Sequence, residues 1–223
     1  MTRNFPKMQY SKQSLAKMFD KDYFERGLET GKSMYTNYHW MPKITLKTAR
    51  AFINEMNPSK TDTIIDYGCA KGFFVKALRR LGYQAYGVDI SKYAIENADP
   101  EIKQYVSLSA KGHYDIGFTK DVLEHSFADD DFLKSVLAEM KNLASRWLVV
   151  VPVGFEEHFI IPAYEKDPSH IIRQPSEWWI EMFKKNNFDI RQIKYRVDGI
   201  KDNWFYGPKG DPKGNLFLEL KSK

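Results

Sequence analysis

Hydrophobic and polar positions follow two different periods along this chain of 223 residues. Short, nearly continuous apolar runs predict buried strands, and between them apolar residues recur three and four positions apart, as on the buried face of a helix. The apolar runs predict strands over 63–66, 85–90, 104–108, 114–120, 146–153, 188–197 and 215–220. The helical spacing predicts helices over 42–56, 73–82, 91–98, 129–144 and 175–187, and more loosely over 11–30. Strands and helices therefore alternate through most of the chain.

This alternation predicts the class of fold. Strands that alternate with helices favour a parallel sheet covered by helices on both faces. The last two predicted strands have no helix between them, which indicates an antiparallel pair. We therefore expect an α/β fold: a Rossmann-like, doubly wound, mostly parallel seven-stranded sheet with an antiparallel C-terminal edge pair. No linker separates two domains, so 1–223 is expected to form one domain, in which 1–42 cap a core formed by 43–223, with an insertion near 152–175.

A glycine-rich turn, TIIDYGCAKGFF, joins the first predicted strand to the following helix. Ligands of such sheets bind outside the carboxyl ends of the strands, where Gly68 and Gly72 permit a tight turn. Asp89, at the end of the second strand, has a carboxylate that can accept hydrogen bonds from ribose hydroxyls. Asp66 precedes the turn, where a carboxylate repels a pyrophosphate and attracts a cationic amino group. These residues favour an adenosine cofactor that carries such a group, S-adenosylmethionine.

Four segments together resemble the class I S-adenosylmethionine-dependent methyltransferases. DYGCAKG resembles their first motif, D-x-G-C-G-x-G, with Ala70 as the one departure, and YGVDIS, YDIGFTKDVLEH and LVVVPV resemble the segments at their second, fourth and fifth strands. The resemblance covers residues 60–155 and implies the fold and the cofactor of that family. It implies cofactor contacts from Tyr35, Asp66, Gly68, Cys69, Ala70, Gly72, Asp89, Ile90 and Asp121. The family usually has an acid after the third strand; VSLSAKG has none, which leaves Ser107, Leu108 or a backbone group for that contact.

Three side chains are candidates for the chemistry of the reaction. Methyl transfer needs a positioned acceptor and, for an oxygen or nitrogen acceptor, sometimes a base. Asp121, His125 and His170 are the candidate catalytic residues. His170 is preferred because DPSHIIRQPSEWW resembles a segment of relatives that methylate small molecules or glycans. The insertion near 152–175 is therefore expected to form the substrate pocket.

The expected function is transfer of a methyl group from S-adenosylmethionine to an oxygen or nitrogen of a small molecule, sugar or glycan. One alternative is a metal-assisted RNA 2′-O-methyltransferase, because Asp121, Glu124, His125 and the distant His170 resemble the metal-binding residues of the small-RNA 2′-O-methyltransferases. Ser126 stands where those enzymes have a further histidine, so no metal is expected. The other alternative is a non-catalytic domain that binds the cofactor or a partner. KDVLEH after the fourth strand excludes the N-P-P-Y motif of DNA amine methyltransferases.

Charge and composition indicate the surroundings of the protein. The net charge is +5, with +6 in 1–60, −6 in 61–183 and +5 in 184–223. These basic ends leave nucleic acid open as a partner, although solvated lysines are the favoured interpretation. Lys71, in the glycine-rich turn, is separately expected to be solvated. The single cysteine, Cys69, excludes an internal disulfide and fits a reducing compartment. No apolar run approaches membrane-spanning length and MTRNFPKMQYSK lacks the apolar core of a secretory signal, so a cytoplasmic protein without a membrane partner is expected.

Overall fold

A computed structural model describes residues 11–126, 130–202 and 212–223 of the chain. Its strands are β1 (Thr63–Tyr67), β2 (Gln84–Val88), β3 (Val106–Ser107), β4 (Tyr114–Lys120), β5 (Ala144–Pro152), β6 (Gly154–Phe155), β7 (His158–Phe159), β8 (Phe188–Lys194) and β9 (Asn215–Ser222). Seven of them form one sheet in the order β3-β2-β1-β4-β5-β9-β8, and β6 and β7 form a separate hairpin. The predicted seven-stranded sheet is therefore confirmed.

The pairing of the strands also agrees with the prediction. β1 pairs in parallel with β2 and β4, β2 with β3, and β4 with β5. β9 runs antiparallel to β5 on one side and to β8 on the other, which confirms the antiparallel pair at the C-terminal edge. The strand order reverses between β1 and β4, and such a reversal opens a crevice at the carboxyl ends of the strands.

Several helices begin or end at residues that are typical of helix ends and are recognisable in the sequence. They are α1 (Lys12–Ala16), α2 (Lys21–Glu25), α3 (Gly27–Thr30), α4 (Pro42–Met56), α5 (Phe73–Arg80), α6 (Lys92–Glu96), α7 (Asp130–Leu143) and α8 (Ser176–Lys185). Proline at the first position of α4 fixes φ in the helical range, and Asn57 ends it in a left-handed conformation. Ser91 caps α6 by accepting a hydrogen bond from the backbone N–H of Ala94. Among the described residues, none of these helices is long and apolar enough to cross a membrane.

The sheet has an apolar cluster on each face. Consecutive side chains of β5 point to opposite faces, so Val149 and Val151 join one cluster and Leu148 and Val150 join the other. The first cluster includes Trp147, Trp179, Phe183 and Phe188, and the second includes Phe52, Leu78, Phe118 and Phe217. Trp147 and Trp179 are among the largest fully buried side chains of the described residues, so their rings are used for packing.

Hydrogen bonds and an ion pair hold the N-terminal segment against the carboxyl ends of the strands. The Ser91 hydroxyl donates a hydrogen bond to the carbonyl of Phe19, which precedes α2. Lys71, in the turn after β1, forms an ion pair with Glu25 and donates to the carbonyl of Tyr38 at 2.9 Å. Lys71 is only 8% exposed, so the prediction that it is solvated is wrong. Glu25 lies far away along the chain, and the sequence therefore gave no signal of this pair.

Candidate functional site

The turn between β1 and α5 forms one wall of the candidate site. The backbone has positive φ at Gly68 (84°), Ala70 (49°) and Gly72 (76°) before α5 begins. The N–H groups of Gly68 and Cys69 donate to the carbonyl of Val88 at 2.8 and 3.1 Å, which ties the turn to the end of β2. A left-handed backbone suits glycine best, so the conformation at Ala70 explains why the related motif has glycine there.

Gly68 is confined by the segment that follows β4. A Cβ at this position would lie 2.3 Å from Cγ2 of Val122, whereas a Cβ at Gly112, which has the same φ of 84°, would meet no atom within 4 Å. Gly68→Ala is therefore expected to lower the free energy of unfolding by about 2–4 kcal/mol and Gly112→Ala by about 1 kcal/mol. Urea denaturation followed by circular dichroism measures both values. Equal losses in the two variants would contradict this account of Gly68.

Two acids, one buried and one half-buried, flank the turn. Asp89 accepts hydrogen bonds from the backbone N–H of Ala70 at 2.8 Å and of Ser91 at 2.7 Å. Burial raises the pKa of the Asp89 carboxyl, and these two hydrogen bonds oppose the rise. Asp66, on β1, is 6% exposed, and burial followed by the charge of Asp89 raises its pKa to about 8. No hydrogen bond from a described residue stabilises the Asp66 carboxylate.

These residues fit S-adenosylmethionine. An unpaired, buried carboxylate at Asp66 is stabilised by a ligand with a cationic amino group, because an opposite charge offsets the cost of burial. The Asp89 carboxylate is held in place by the turn itself, in the position from which it can accept hydrogen bonds from a ribose. Ile90, next along the chain, is partly buried against the first apolar cluster, the one that includes Tyr67 and Val88.

Aromatic side chains of the N-terminal segment lie over this region. Tyr35 and Tyr38 contact each other with ring centroids 4.8 Å apart, and Tyr38 packs on Phe73 at 5.2 Å. Burial raises the pKa of Tyr38, and the charges of Asp66 and Asp89 add to this effect. Tyr38, which packs beside Tyr35, therefore lies near the two acids.

Charged side chains gather at the end of β4. Asp121 accepts a hydrogen bond from Lys120 at 2.6 Å and forms an ion pair with Lys201, whose side chain is only 5% exposed. Burial raises the pKa of Asp121, but the two lysine charges outweigh burial and hold the pKa below its usual range. Asp121 thus stays ionised and paired. Lys201 follows β8 in a segment without a recognisable motif, so sequence reasoning missed it.

Three further side chains meet beside this ion pair. Glu124 and His125 belong to a 3₁₀ helix, Leu123–His125, that follows β4. The N–H groups of Ile171 and Ile172 donate to the Glu124 carbonyl at 2.8 and 2.9 Å, which brings the adjacent His170 to this helix. The two imidazole rings lie with centroids 4.6 Å apart, and His170 Nε2 is 4.0 Å from Glu124 Oε1. Two of the predicted catalytic residues, distant in sequence, are therefore neighbours.

Hydrogen bonds fix the protonation of both histidines. His170 Nδ1 lies 2.8 Å from the Tyr164 carbonyl, and His125 Nδ1 lies 3.1 Å from the Ser169 carbonyl. A carbonyl only accepts, so each Nδ1 carries the proton and each Nε2 keeps its lone pair. Burial lowers the pKa of His170, and burial together with His170 lowers that of His125 to about 4. Both rings are therefore neutral at pH 7.

Comparison with known proteins shows which proteins this chain is similar to. Residues 39–193 match a family model described as a methyltransferase domain. The mitochondrial ubiquinone biosynthesis O-methyltransferase of Schizosaccharomyces pombe is 30% identical over 194 residues, which cover 74% of this chain and 69% of the relative. In fold, the chain is similar to magnesium protoporphyrin IX methyltransferase from Synechocystis PCC 6803, solved with bound S-adenosylhomocysteine, at 14% identity and a TM-score of 0.60 over 95% of this chain and 99% of that one. It is also similar to mitomycin 7-O-methyltransferase at 13% identity and a TM-score of 0.57; the matched region covers 82% of this chain but only 54% of that one.

Proposed function

This chain belongs to the methyltransferase-domain family of S-adenosylmethionine-dependent enzymes, and on that premise we propose that it methylates an oxygen or nitrogen of a small molecule. Oxygen is the favoured acceptor atom, because the curated relative is named an O-methyltransferase. The hydroxyl of a sugar or glycan is also an oxygen acceptor, so these substrates are included in the proposal. Magnesium protoporphyrin IX and mitomycin, named for the two structural neighbours, remain the substrates of those proteins.

One observation carries the proposal: the two acids beside the turn lie at the carboxyl ends of β1 and β2, and the two neutral histidines meet just beyond the carboxyl end of the neighbouring strand β4. Asp66 on β1 stands opposite Phe118 on β4, and β4 leads within a few residues to His125. Lys120, between them, is close enough to influence the pKa of Asp66. A cofactor bound at the turn therefore has its reactive end beside the histidine pair.

The turn and its neighbours are the proposed cofactor site. When bound, S-adenosylmethionine supplies an activated methyl group on a positively charged sulfur. In this proposal Asp66 attracts the amino group of the cofactor, Asp89 holds the ribose, and Ile90 packs beside the adenine. The remaining contacts come from the turn and from the segments over it, through Tyr35, Tyr38, Gly68, Cys69, Ala70, Gly72 and Asp121. The segment 1–42, of which the structure describes 11–42, is proposed as a cap that excludes water.

His170 is the proposed base on the acceptor side. Its Nε2 lone pair is free to accept the proton of an acceptor hydroxyl or amine, because Nδ1 donates to the Tyr164 carbonyl. Asp121 serves in this proposal as a positioning residue, since its ion pairs with Lys120 and Lys201 make it a weak base. His125 lines the same pocket, to which the insertion near 152–175 contributes through the Tyr164 contact.

We expect His170→Asn to lower kcat by about 100-fold or more while leaving the affinity for S-adenosylhomocysteine unchanged, as for loss of a general base. The assay measures release of S-adenosylhomocysteine from S-adenosylmethionine with phenols, carboxylic acids, amines, sugars and a short RNA as acceptors. His113→Asn is the matched control, because His113 lies exposed at the opposite end of β4 and bonds to Asn142 and Ser145. Turnover with the RNA alone would favour the RNA 2′-O-methyltransferase alternative, and cofactor binding without turnover would favour a non-catalytic domain.

A further inference from the structure

We propose that Glu124, His125 and His170 together bind one divalent transition-metal ion. This departs from the sequence-based expectation that the protein binds no metal. The inference concerns the acceptor side of the proposed methyltransferase site, and it rests on the proposed function only for what the ion does there. Binding of the ion follows from the three side chains themselves and is tested separately.

The three side chains supply a compact set of donor atoms. One ligand atom from each of Glu124, His125 and His170 lies within 4.8 Å of the others, and all three residues are buried. The distance from His170 Nε2 to Glu124 Oε1 is 4.0 Å. Two donors of one tetrahedral zinc ion, each about 2.0–2.2 Å from it, lie about 3.4 Å apart. A small closing movement of the side chains therefore completes the site.

The carboxylate of Glu124 is the second, independent sign of a ligand. The residue is 0% exposed, and neither of its two carboxylate oxygens has a hydrogen-bond partner in the part of the chain that the structure describes. A buried carboxyl group without a partner costs considerable free energy, whereas the same group bound to a cation does not. The charges of Asp121, Lys201 and Lys120 reach Glu124, and Asp121 is already paired with both lysines.

The histidines are oriented as metal ligands usually are. A metal-bound imidazole generally donates its other ring N–H to a carbonyl or carboxylate, which fixes the ring and leaves a lone pair for the ion. His125 and His170 make such bonds to the carbonyls of Ser169 and Tyr164. Two nitrogens and one oxygen favour zinc, cobalt, nickel, iron or manganese over magnesium or calcium, which prefer all-oxygen sites.

Three protein ligands leave coordination positions open for an acceptor oxygen. An acceptor hydroxyl bound to the cation loses its proton more readily, because the positive charge stabilises the resulting oxyanion. The oxygen–hydrogen bond breaks and the proton passes to water; the oxygen then forms a bond to the methyl carbon as the carbon–sulfur bond of the cofactor breaks. With the ion bound, His170 acts as a ligand and the ion replaces it in activating the acceptor.

The test uses the full-length protein without an affinity tag, treated with EDTA and then dialysed. Cobalt is titrated by visible absorption and zinc by calorimetry, with magnesium for comparison. We expect one cobalt or zinc ion per chain, at least 10-fold weaker binding in Glu124→Gln and in His170→Asn, and unchanged binding in the control His113→Asn. Each variant is first checked for binding of S-adenosylhomocysteine, which reports an intact fold.

Two results would overturn the inference: no saturable binding of cobalt or zinc by the wild-type protein, or equal affinities in the wild type and in variants that still bind S-adenosylhomocysteine. Methyl transfer that persists at full rate in EDTA, with no ion bound, would also refute a role of the ion while leaving the proposed function in place. Failure of the proposed function instead appears as absence of transfer to every acceptor, with or without added metal. The two failures are therefore distinguishable.

Discussion

Asp89→Ala is expected to weaken binding of S-adenosylhomocysteine by about 100-fold, or about 2.7 kcal/mol. The wild-type carboxylate accepts hydrogen bonds from the N–H groups of Ala70 and Ser91 and is therefore held rigidly at the end of β2. Alanine removes the acceptor for the ribose and also leaves these two N–H groups without their partner, so the turn loses part of its shape. Isothermal titration calorimetry measures the change directly.

A second variant separates the loss of ligand contacts from the loss of turn geometry. Asp89→Asn keeps one acceptor oxygen and a similar volume, so it is expected to bind better than Asp89→Ala and worse than the wild type. Asp189→Ala is the control, because Asp189 is the second residue of β8 and its carboxylate forms a surface ion pair with Arg191. Wild-type affinity in Asp89→Ala would refute the assignment of this residue to the cofactor site.

Local sequence signals account for most of the fold. Pro42 and Asn57 mark the ends of α4, and Ser91 marks the start of α6, because proline, left-handed asparagine and a capping hydroxyl act within a few residues of themselves. The apolar runs identify the strands because a buried strand has a direct signature in hydrophobicity. The hairpin of β6 and β7 was not predicted, because GFEEHF has acidic residues in its middle and contains no continuous apolar run.

The candidate site was predictable where it coincides with strand ends and not where it depends on distant packing. Asp66, Asp89 and Asp121 each follow or end a strand, and parallel strands bring such residues to one edge. The pairing of Asp121 with Lys201 joins β4 to the segment after β8, and only the folded chain brings these residues together. The burial of Lys71 against Glu25 depends in the same way on how the N-terminal segment packs.

The sequence shows that His125 and His170 are residue types that can act together in a site. It does not show that they are neighbours. Backbone N–H groups of Ile171 and Ile172 donate to the carbonyl of Glu124 and bring the two histidines together. Such bonds do not depend on the side chain, so the sequence does not reveal them. That the Glu124 carboxylate has no hydrogen-bond partner among the described residues is likewise a property of its surroundings. Reasoning from the sequence thus named these residues, and the structure shows that they are neighbours.

Asp66→Asn is expected to make the protein more stable above neutral pH while nearly abolishing cofactor binding. Burial and the charge of Asp89 raise the pKa of Asp66 from 3.8 to about 8. The unfolded chain releases this proton near its usual pKa, whereas the folded chain keeps it until about pH 8, so the folded state binds more protons between these limits. The free energy of unfolding therefore falls, through this group, as the pH rises from about 4 to about 8.

Asparagine has no proton to lose, so this part of the pH dependence disappears in the variant. At about pH 8 we expect Asp66→Asn to be more stable than the wild type by about 2 kcal/mol or more, a value that discounts the full shift for relaxation around the buried carboxylate. Urea denaturation from about pH 5.5 to about pH 8 measures the two slopes. A wild-type slope equal to that of Asp66→Asn would contradict the raised pKa of Asp66.

Cofactor binding should depend on pH in the opposite direction. The ligand's cationic amino group favours the ionised form of Asp66, so wild-type affinity for S-adenosylhomocysteine is expected to rise about 10-fold or more between about pH 5.5 and about pH 7.5, where the amino group of the ligand keeps its charge. Asp66→Asn should bind at least about 100-fold more weakly at the upper pH and show no such rise. The same carboxylate that destabilises the free protein thus becomes favourable once the ligand neutralises it, which is the trade-off expected of a buried binding residue.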